Sequence, residues 1–432
     1  CLFVALFADL LEVRKEFDMA SLKPIRGTHD LLPEAMRVHR FVVERSREIV
    51  ERYGFEEIAT PIFESSDVFR RTLGDTSDIV TKEMYTFATK GGEEITLRPE
   101  NTAGVARAFI SEGLAQATPL KYFYAGPMFR HERPQKGRQR QFHQIGVEII
   151  GVANPQADVE VITAGARVLS ELGLGLKTSL QLNTLGDSES RADYREALIK
   201  YFTGRINELS AESRDRLGRN PLRIIDSKNE GDQIIVSNAP KFSDFLNKYS
   251  RDFFAEVKDG LDMLGISYAL NERLVRGLDY YGHTAFEFTT TELGAQDAVL
   301  AGGRYDGLIE TMGGPNTPGV GWAAGIERLS MLCDEVPGAR RPVALIPIGE
   351  EAVAQAPGLA EELRTSGLRI DLGYSGNPGR RMKRANRLNA AAAVFIGEDE
   401  LERGAVTLRD MDGGDQKEVP LSKLAEHLSK YL

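Results

Sequence analysis

Apolar positions recur at helical spacing from about Pro33 to Tyr53, where Pro33 suits a first turn and Gly54 a stop. FEEIATP and EEITLRPE read as short strands, and NTAGVARAFISEG reads as a helix ending near Gly113. LKYFYAGPMFRHE and RQFHQIGVEIIG, rich in aromatic and β-branched residues, read as the two arms of a long hairpin. A helix (DVEVITAGARVLSELG) and a strand (TSLQLNTLG) follow. A charged, mainly helical stretch over about 188–262 then interrupts the pattern, and strands resume at SYALNERLVRG and TAFEFTTT, so it reads as an insertion. Glycine-rich AGGRYDGL and GGPNTPGVGWAAGIERLSML close this part, the latter as a loop and strand running into a helix. EVPGARRPV reads as a linker. Beyond it VALIPIG, LRIDLGY and AAVFIG alternate with helical stretches, which predicts a small α/β domain over about 341–432.

Side chains alternate across a strand. In the return arm of the hairpin, Phe142, Gln144, Gly146 and Glu148 share one face, and His143, Ile145, Val147 and Ile149 share a core face. The first face is a poor way to build a core. In the outgoing arm Arg130 and Glu132 share a face. Two readings stand for this hairpin alone: a solvated face whose charges pair with one another, or the wall of a polar groove. Other segments favour the groove. LRPENT offers Glu100 and Thr102, two apart and on one face if extended. LVRGLDYYGHTAFEF puts Arg276 beside two tyrosines, AGGRYDGL adds Tyr305, and GIERL adds Arg328 at a helix start. Arginines set among glycines and aromatics on separate strands suit phosphate and carboxylate recognition.

The net charge of −10 argues against coating nucleic acid non-specifically, yet leaves room for a local basic site. The arginine-dense loop of the hairpin is one such place. The two cysteines, Cys1 and Cys333, form neither a zinc-ligand spacing nor a disulfide framework, so a reducing cytoplasm is the simplest home. Cys333 falls in an apolar helical run and reads as inert core. The histidines are scattered, with no HExxH; His143 reads as packed and not as a catalytic base. GVGWAAG does not fit a dinucleotide fingerprint and no Walker A motif is present. Residues 1–18 precede Met19 and read as an extension upstream of the start, or else as an amphipathic helix; their apolar part is too short to span a membrane.

With these residues in place, the chain after Met19 resembles the histidyl-tRNA synthetases, which are class II aminoacyl-tRNA synthetases. GFEEIATPIFE is similar to class II motif 1, FRHERPQKGRQRQFHQIGVEIIG to motif 2 and GVGWAAGIERL to motif 3. LVRGLDYY and AGGRYDGL resemble the family's own histidine motifs. The resemblance implies an α+β fold: an antiparallel sheet of six or seven strands flanked by helices over 19–340, a helical insertion, and a C-terminal α/β anticodon-binding domain. It implies ATP-dependent attachment of L-histidine to tRNA(His) through a histidyl-adenylate. Arg130 and Arg276 would act at the α-phosphate and histidine carboxylate, Arg276 where related synthetases place a metal ion. Arg138, Glu132 and Arg328 would hold the nucleotide, with Arg328 at the γ-phosphate, and Phe142 would stack on adenine. Mg²⁺ would come with ATP, and no protein metal cage is implied.

Glu100, Thr102 and Gln144 would bind the α-amino end of histidine, and Glu148, Tyr280, Tyr281 and Tyr305 its ring. Unpaired buried polar groups would reject other amino acids by about 10⁴-fold in favourable cases. Gln135, Lys136 and Arg140 would form the tongue tip at the tRNA acceptor end, and Arg380, Arg381 and Arg384 a basic patch at the anticodon. The motif 1 element implies a homodimer. Asn101 departs from the pattern, standing where many relatives have glycine. The alternative is a non-catalytic paralogue such as the regulatory subunit of ATP phosphoribosyltransferase, against which the intact arginines and the C-terminal domain argue.

Overall fold

The computed structural model describes residues 22–73, 79–135, 137–225, 227–274, 281–294 and 298–432. The chain divides into two compact units, one ending at Val336 and one starting at Pro337, slightly before the expected linker end.

The first unit is built on an eight-stranded sheet. Its strands are β1 (Glu56–Glu57), β5 (Leu120–Phe129), β6 (Gln141–Ile150), β7 (Ser179–Thr184), β8 (Tyr268–Leu270), β9 (Gly282–Thr289), β10 (Ala298–Arg304) and β11 (Gly319–Gly325), while β2 (Phe63–Ser65), β3 (Tyr85–Ala88) and β4 (Glu94–Leu97) form a separate three-stranded sheet. The spatial order of the large sheet is β1-β5-β6-β11-β10-β9-β7-β8. All its pairs are antiparallel except the two edge pairs, β1 with β5 and β7 with β8. The sheet exceeds the expected six or seven strands, and both edge strands are only two and three residues long. Both fall within segments read as strands, FEEIATP and SYALNERLVRG; the strand of this sheet not read is β10, whose end is glycine-rich.

Helix α1 (Pro33–Glu51) starts with proline in its first turn and buries Val42, Ser46, Ile49 and Val50, one stripe at helical spacing. Gly54 follows at φ +79, a left-handed stop that glycine adopts without strain. α2 (Ser66–Leu73) and α3 (Thr102–Ser111) come next in the chain, and α4 (Gln156–Glu171) packs on one face of the sheet with α1. The expected insertion contains α5 (Ser188–Thr203), α6 (Ala211–Arg219), α7 (Glu230–Val236) and α8 (Lys248–Met263). The first three enclose their own core, with Leu198, Phe202, Ile224 and Phe242 buried together. Helix α8 does not belong to that core: Phe253, Val257 and Leu261 pack into the core of the main sheet. The insertion therefore ends before α8. α9 (Ile326–Leu332) continues directly from β11.

The second unit is a five-stranded sheet in the order β13-β12-β14-β15-β16, formed by β12 (Val343–Pro347), β13 (Ile370–Leu372), β14 (Ala392–Ile396), β15 (Ala405–Asp410) and β16 (Gln416–Pro420). Helices α10 (Glu350–Thr365) and α11 (Pro378–Arg387) connect its parallel strands. The three strands expected there are present. The β15–β16 hairpin was not expected, because β16 exposes all its residues but Val419 and reads as polar loop. Among the described residues no helix is long and apolar enough to cross a membrane.

Candidate active site

Strands β5 and β6 pair over their full length, from Leu120 opposite Ile150 to Phe129 opposite Gln141. The tongue closes beyond them. Gln135 and Arg138 exchange both backbone hydrogen bonds, at 3.1 and 2.9 Å, and Gly137 between them sits at φ +72. Arg138 donates from Nη1 to Glu132 Oε2 at 2.7 Å, and Arg130 lies 3.8 Å from the other carboxylate oxygen. Arg130 is also held by Nε donation to Pro99 O at 2.8 Å, with its guanidinium 5.3 Å from the centre of the Phe142 ring. A cation, a counter-ion and a ring thus stand together on the expected groove face. Arg328, on α9, runs its stem along the tip: a Cβ at Gly137 would lie 3.3 Å from Arg328 Cγ. Arg140 is not at the tip. Its carbonyl accepts from Arg130 N at 2.9 Å at the base of the loop, and its stem packs on Gly27. Strand register decides this, since Arg140 directly precedes β6.

Deeper in the sheet, Glu148 is 1% exposed. Thr102 donates from Oγ1 to its Oε1 at 2.7 Å, Tyr305 OH donates to Oε2 at 2.5 Å, and Tyr124 OH lies 3.5 Å from Oε1. Burial pushes the carboxyl up to about 8, and the hydroxyl hydrogen bonds only partly offset it. The phenols of Tyr124 and Tyr305 are raised well above their ordinary value, again first by burial. Small residues opposite these groups make the space. Glu148 pairs across the sheet with Gly321, which pairs with Gly303. A Cβ at Gly321 would meet the Glu148 carboxylate, one at Gly303 the Tyr281 ring at 2.7 Å, and one at Gly319 the Tyr305 ring. Gln144 lies two residues before Gly146 on the same face, and its Oε1 is buried with no hydrogen-bond partner among the described residues. A buried carbonyl oxygen left without a donor is costly unless a ligand supplies one.

Glu100 and Thr102 are not on one extended face. Thr102 begins α3, and Glu100 accepts from the backbone N–H of Thr102 at 2.6 Å and of Ala103 at 3.0 Å. A carboxylate favoured by a helix N-terminus replaces the strand geometry. Burial still raises the Glu100 carboxyl, against these bonds and the nearby Arg130. The adjoining Asn101 is buried, and its Oδ1 accepts from Thr60 Oγ1 at 2.6 Å and Arg98 Nη1 at 3.1 Å.

Tyr281 is buried beside Tyr305, and its carbonyl accepts from Arg191. Arg276, Tyr280 and Lys136 lie outside the described residues. In the second unit Arg380 is exposed, while Arg384 makes a bidentate pair with Asp371 at 2.9 and 2.7 Å. Arg381 corrects the expected basic patch: it is 9% exposed and donates to Pro347 O, so it faces the domain interior. Helical periodicity turns one of two adjacent arginines inward. Sequence reasoning missed Tyr124, whose ring occupies the gap left by Gly146, its direct partner across the hairpin. Counting the register back from the tongue would have found it. Cys333 is partly buried against the main core, and burial pushes its thiol up to about 11.

A family model described as histidyl-tRNA synthetase matches residues 27–329, and one described as an anticodon binding domain matches residues 342–431. A histidine–tRNA ligase of Rhodospirillum rubrum is 61% identical over 96% of this chain and 100% of its own length. One from Gluconacetobacter diazotrophicus is 56% identical over 95% of this chain and 99% of its own. Among solved structures, apo histidyl-tRNA synthetase of S. aureus superposes with a TM-score of 0.80 at 36% identity, over 94% of this chain and 99% of that one. A structure titled as an ATP phosphoribosyltransferase regulatory subunit/histidyl-tRNA synthetase from Bacillus halodurans shares the fold, with a TM-score of 0.65 at 22% identity over 87% of this chain and 98% of that one.

Proposed function

The chain belongs to the histidyl-tRNA synthetase family of class II aminoacyl-tRNA synthetases, and from that premise we propose how its residues divide the work. The enzyme attaches histidine to tRNA(His) in two steps. A histidine carboxylate oxygen attacks the α-phosphorus of ATP, and pyrophosphate leaves. A ribose hydroxyl at the 3′ end of the tRNA then attacks the carbonyl carbon of the adenylate, and AMP leaves.

The amino-acid pocket is the cleft around Glu148. The observation that carries this assignment is a buried carboxyl already oriented by Tyr305 and Thr102, with the orphaned Gln144 Oε1 four residues earlier on the same strand. Glu148 and Tyr305 address the imidazole, with Tyr281 closing the ring pocket and Tyr124 holding Glu148. Gln144 and Thr102 face the amino end, and Glu100 supplies negative charge there. A side chain that cannot pair with this set leaves buried groups unsatisfied and is rejected.

The nucleotide lies along the groove. Arg130 stands over Phe142, which would stack on adenine, and steadies the α-phosphate; Arg328 takes the γ-phosphate, and Arg138, oriented by Glu132, lies at the nucleotide with it. Positive charge fixed in place lowers the barrier for an anion attacking an anion. Arg276 keeps the α-phosphate and carboxylate role that the resemblance implies, and Tyr280 a place at the ring. Among the described residues no cluster of three His, Cys, Asp or Glu side chains could hold a metal ion. Glu132 is engaged by two arginines. Mg²⁺ would come as a companion of ATP, as the family implies, held chiefly by phosphate oxygens, and would supply further charge neutralisation.

The tongue tip at Gln135, with Lys136, approaches the acceptor end of the tRNA. Arg380, supported by Arg384, serves the anticodon. The enzyme works as a homodimer in the cytoplasm, joined through α1 and the segment after it; exposed Leu32, Ile62, Phe63 and Phe87 support that face.

ATP–pyrophosphate exchange without tRNA, run with each of the twenty amino acids, tests the pocket. Exchange with histidine alone is the expected result; exchange with several amino acids would remove Glu148 and Tyr305 as the specificity set. Arg276→Ala should slow exchange by orders of magnitude with folding near normal, and normal turnover would sink its role.

A further inference from the structure

In the second unit β12 runs parallel to β13 on one side and to β14 on the other. Its side chains alternate between two helices. Val343 and Leu345 pack with Ala352 and Ala356 of α10, whereas Ala344 and Ile346 pack with Ala385 of α11. The two helices therefore cover opposite faces of the sheet. The chain leaves β12 toward one face and its neighbour β13 toward the other. In open α/β sheets the crevice at such a reversal, outside the carboxyl ends of the strands, is where ligands bind.

Tyr374 stands at that place, two residues past the end of β13, and is 80% exposed. Its backbone is held on both sides. Gly373 donates from N to Leu345 O at 3.3 Å and approaches the Arg381 stem so closely that a Cβ would lie 2.9 Å from it. Gly376 turns at φ +93 over the Arg380 stem, and Asn377 caps α11 by accepting from Arg380 N at 3.0 Å. The helix that starts there carries arginines and a lysine and no acid. Arg380, Lys383 and Arg387 are exposed, one stripe at helical spacing. Arg384 lies within electrostatic reach of the Tyr374 phenol. A lone exposed ring is ordinary. A ring on a fixed loop at the switch point, beside a stripe of cations, has both parts of a site for single-stranded nucleic acid: an aromatic surface for a base and charge for its backbone. We propose that Tyr374 is the platform on which one unpaired base of the anticodon loop stacks, with the phosphates of that loop running along the exposed stripe of α11. This rests on the reading that the second unit serves the anticodon.

The test measures binding of a tRNA(His) transcript to the full chain and to its variants. Tyr374→Ala is expected to weaken binding about tenfold. It should leave pyrophosphate exchange unchanged, and also the slope of log affinity against log salt, since a stacked base releases no counterion. Tyr374→Phe keeps the ring and should stay within about twofold of the wild type. The cycle is completed on the RNA, with transcripts in which one anticodon nucleotide at a time lacks its base. At one position, losing the base and losing the ring together should cost little more than either alone. Losses that multiply at every position, or wild-type binding by Tyr374→Ala, would overturn the proposal and leave the anticodon reading standing. A change in the sedimentation of Tyr374→Ala without RNA would place a second copy of the chain on the ring and overturn it as well. Transcripts that bind equally well with or without each anticodon base would remove the anticodon from this unit, and the proposal with it.

Discussion

A carboxyl that ionises near 4.5 in the unfolded chain and at about 8 in the folded one couples stability to pH, and Glu148 is such a group. Between those values the folded protein holds a proton that the unfolded chain has released. This contribution is fully present below about 4.5 and is lost as pH rises through about 8. Glu148→Gln, which never ionises, should gain on the wild type in denaturant midpoint as pH is raised from 5 to 8.5. A constant difference across that range would place the Glu148 carboxyl near its ordinary value. On the proposed assignment the same substitution should raise KM for histidine by about 10²-fold or more, because a fixed amide replaces a carboxyl that can give up its proton to accept from the imidazole. Alternation along the return strand was enough to put Glu148 and Gln144 on one face with a gap between them. It could not say that Tyr124 fills the gap, because that depends on a register set by the tongue.

At the level of elements, the turn from β4 into α3 joins three segments. Arg98 donates to Pro127 O at 2.9 Å, Thr60 O at 2.9 Å and Asn101 Oδ1 at 3.1 Å, so it ties the start of α3 to β5 and to the strand region after α1. Asn101, where the resemblance leads one to expect glycine, is a buried acceptor in this knot. Asn101→Gly should lower stability by about 1–3 kcal/mol through the lost hydrogen bonds, read as a denaturant midpoint. Exchange activity should survive within a few-fold, since Glu100 keeps its bonds to Thr102 and Ala103; a collapse of activity would make Asn101 part of the site. This turn also shows where sequence patterns stop. The periodicity of NTAGVARAFISEG gives the helix, but not that Glu100 turns back on its start: the two residues would share a face only if extended, and instead the buried Glu100 carboxylate satisfies the first N–H groups. Long elements such as α1 and the β5–β6 hairpin were legible because their apolar periods run for several turns or pairs. The β15–β16 hairpin was not, since its outer strand is polar along nearly its whole length. The insertion was bounded too far along because α8 is as charged as its neighbours on its outer face, while Phe253, Val257 and Leu261 face the main core.

For the whole molecule, a net charge of −10 has to coexist with binding a polyanion. A protein of that charge cannot rely on its overall field, so tRNA affinity must rest on a few local cations. Pyrophosphate exchange should then be nearly indifferent to salt between about 50 and 200 mM, while KM for tRNA in aminoacylation rises steeply over the same range. The two adjacent arginines of α11 separate contact from architecture. Arg380 is exposed, and Arg380→Ala should weaken tRNA binding and reduce the slope of log affinity against log salt by about 1. Arg381 is turned inward onto Pro347 O, and Arg381→Ala should lower the melting temperature of the second unit with the salt slope unchanged. The reverse pattern, a slope change at Arg381 and none at Arg380, would mean that the anticodon meets a different face of α11. Because exchange needs no tRNA, both variants should retain it, which separates a loss at the anticodon from damage to the pocket around Glu148.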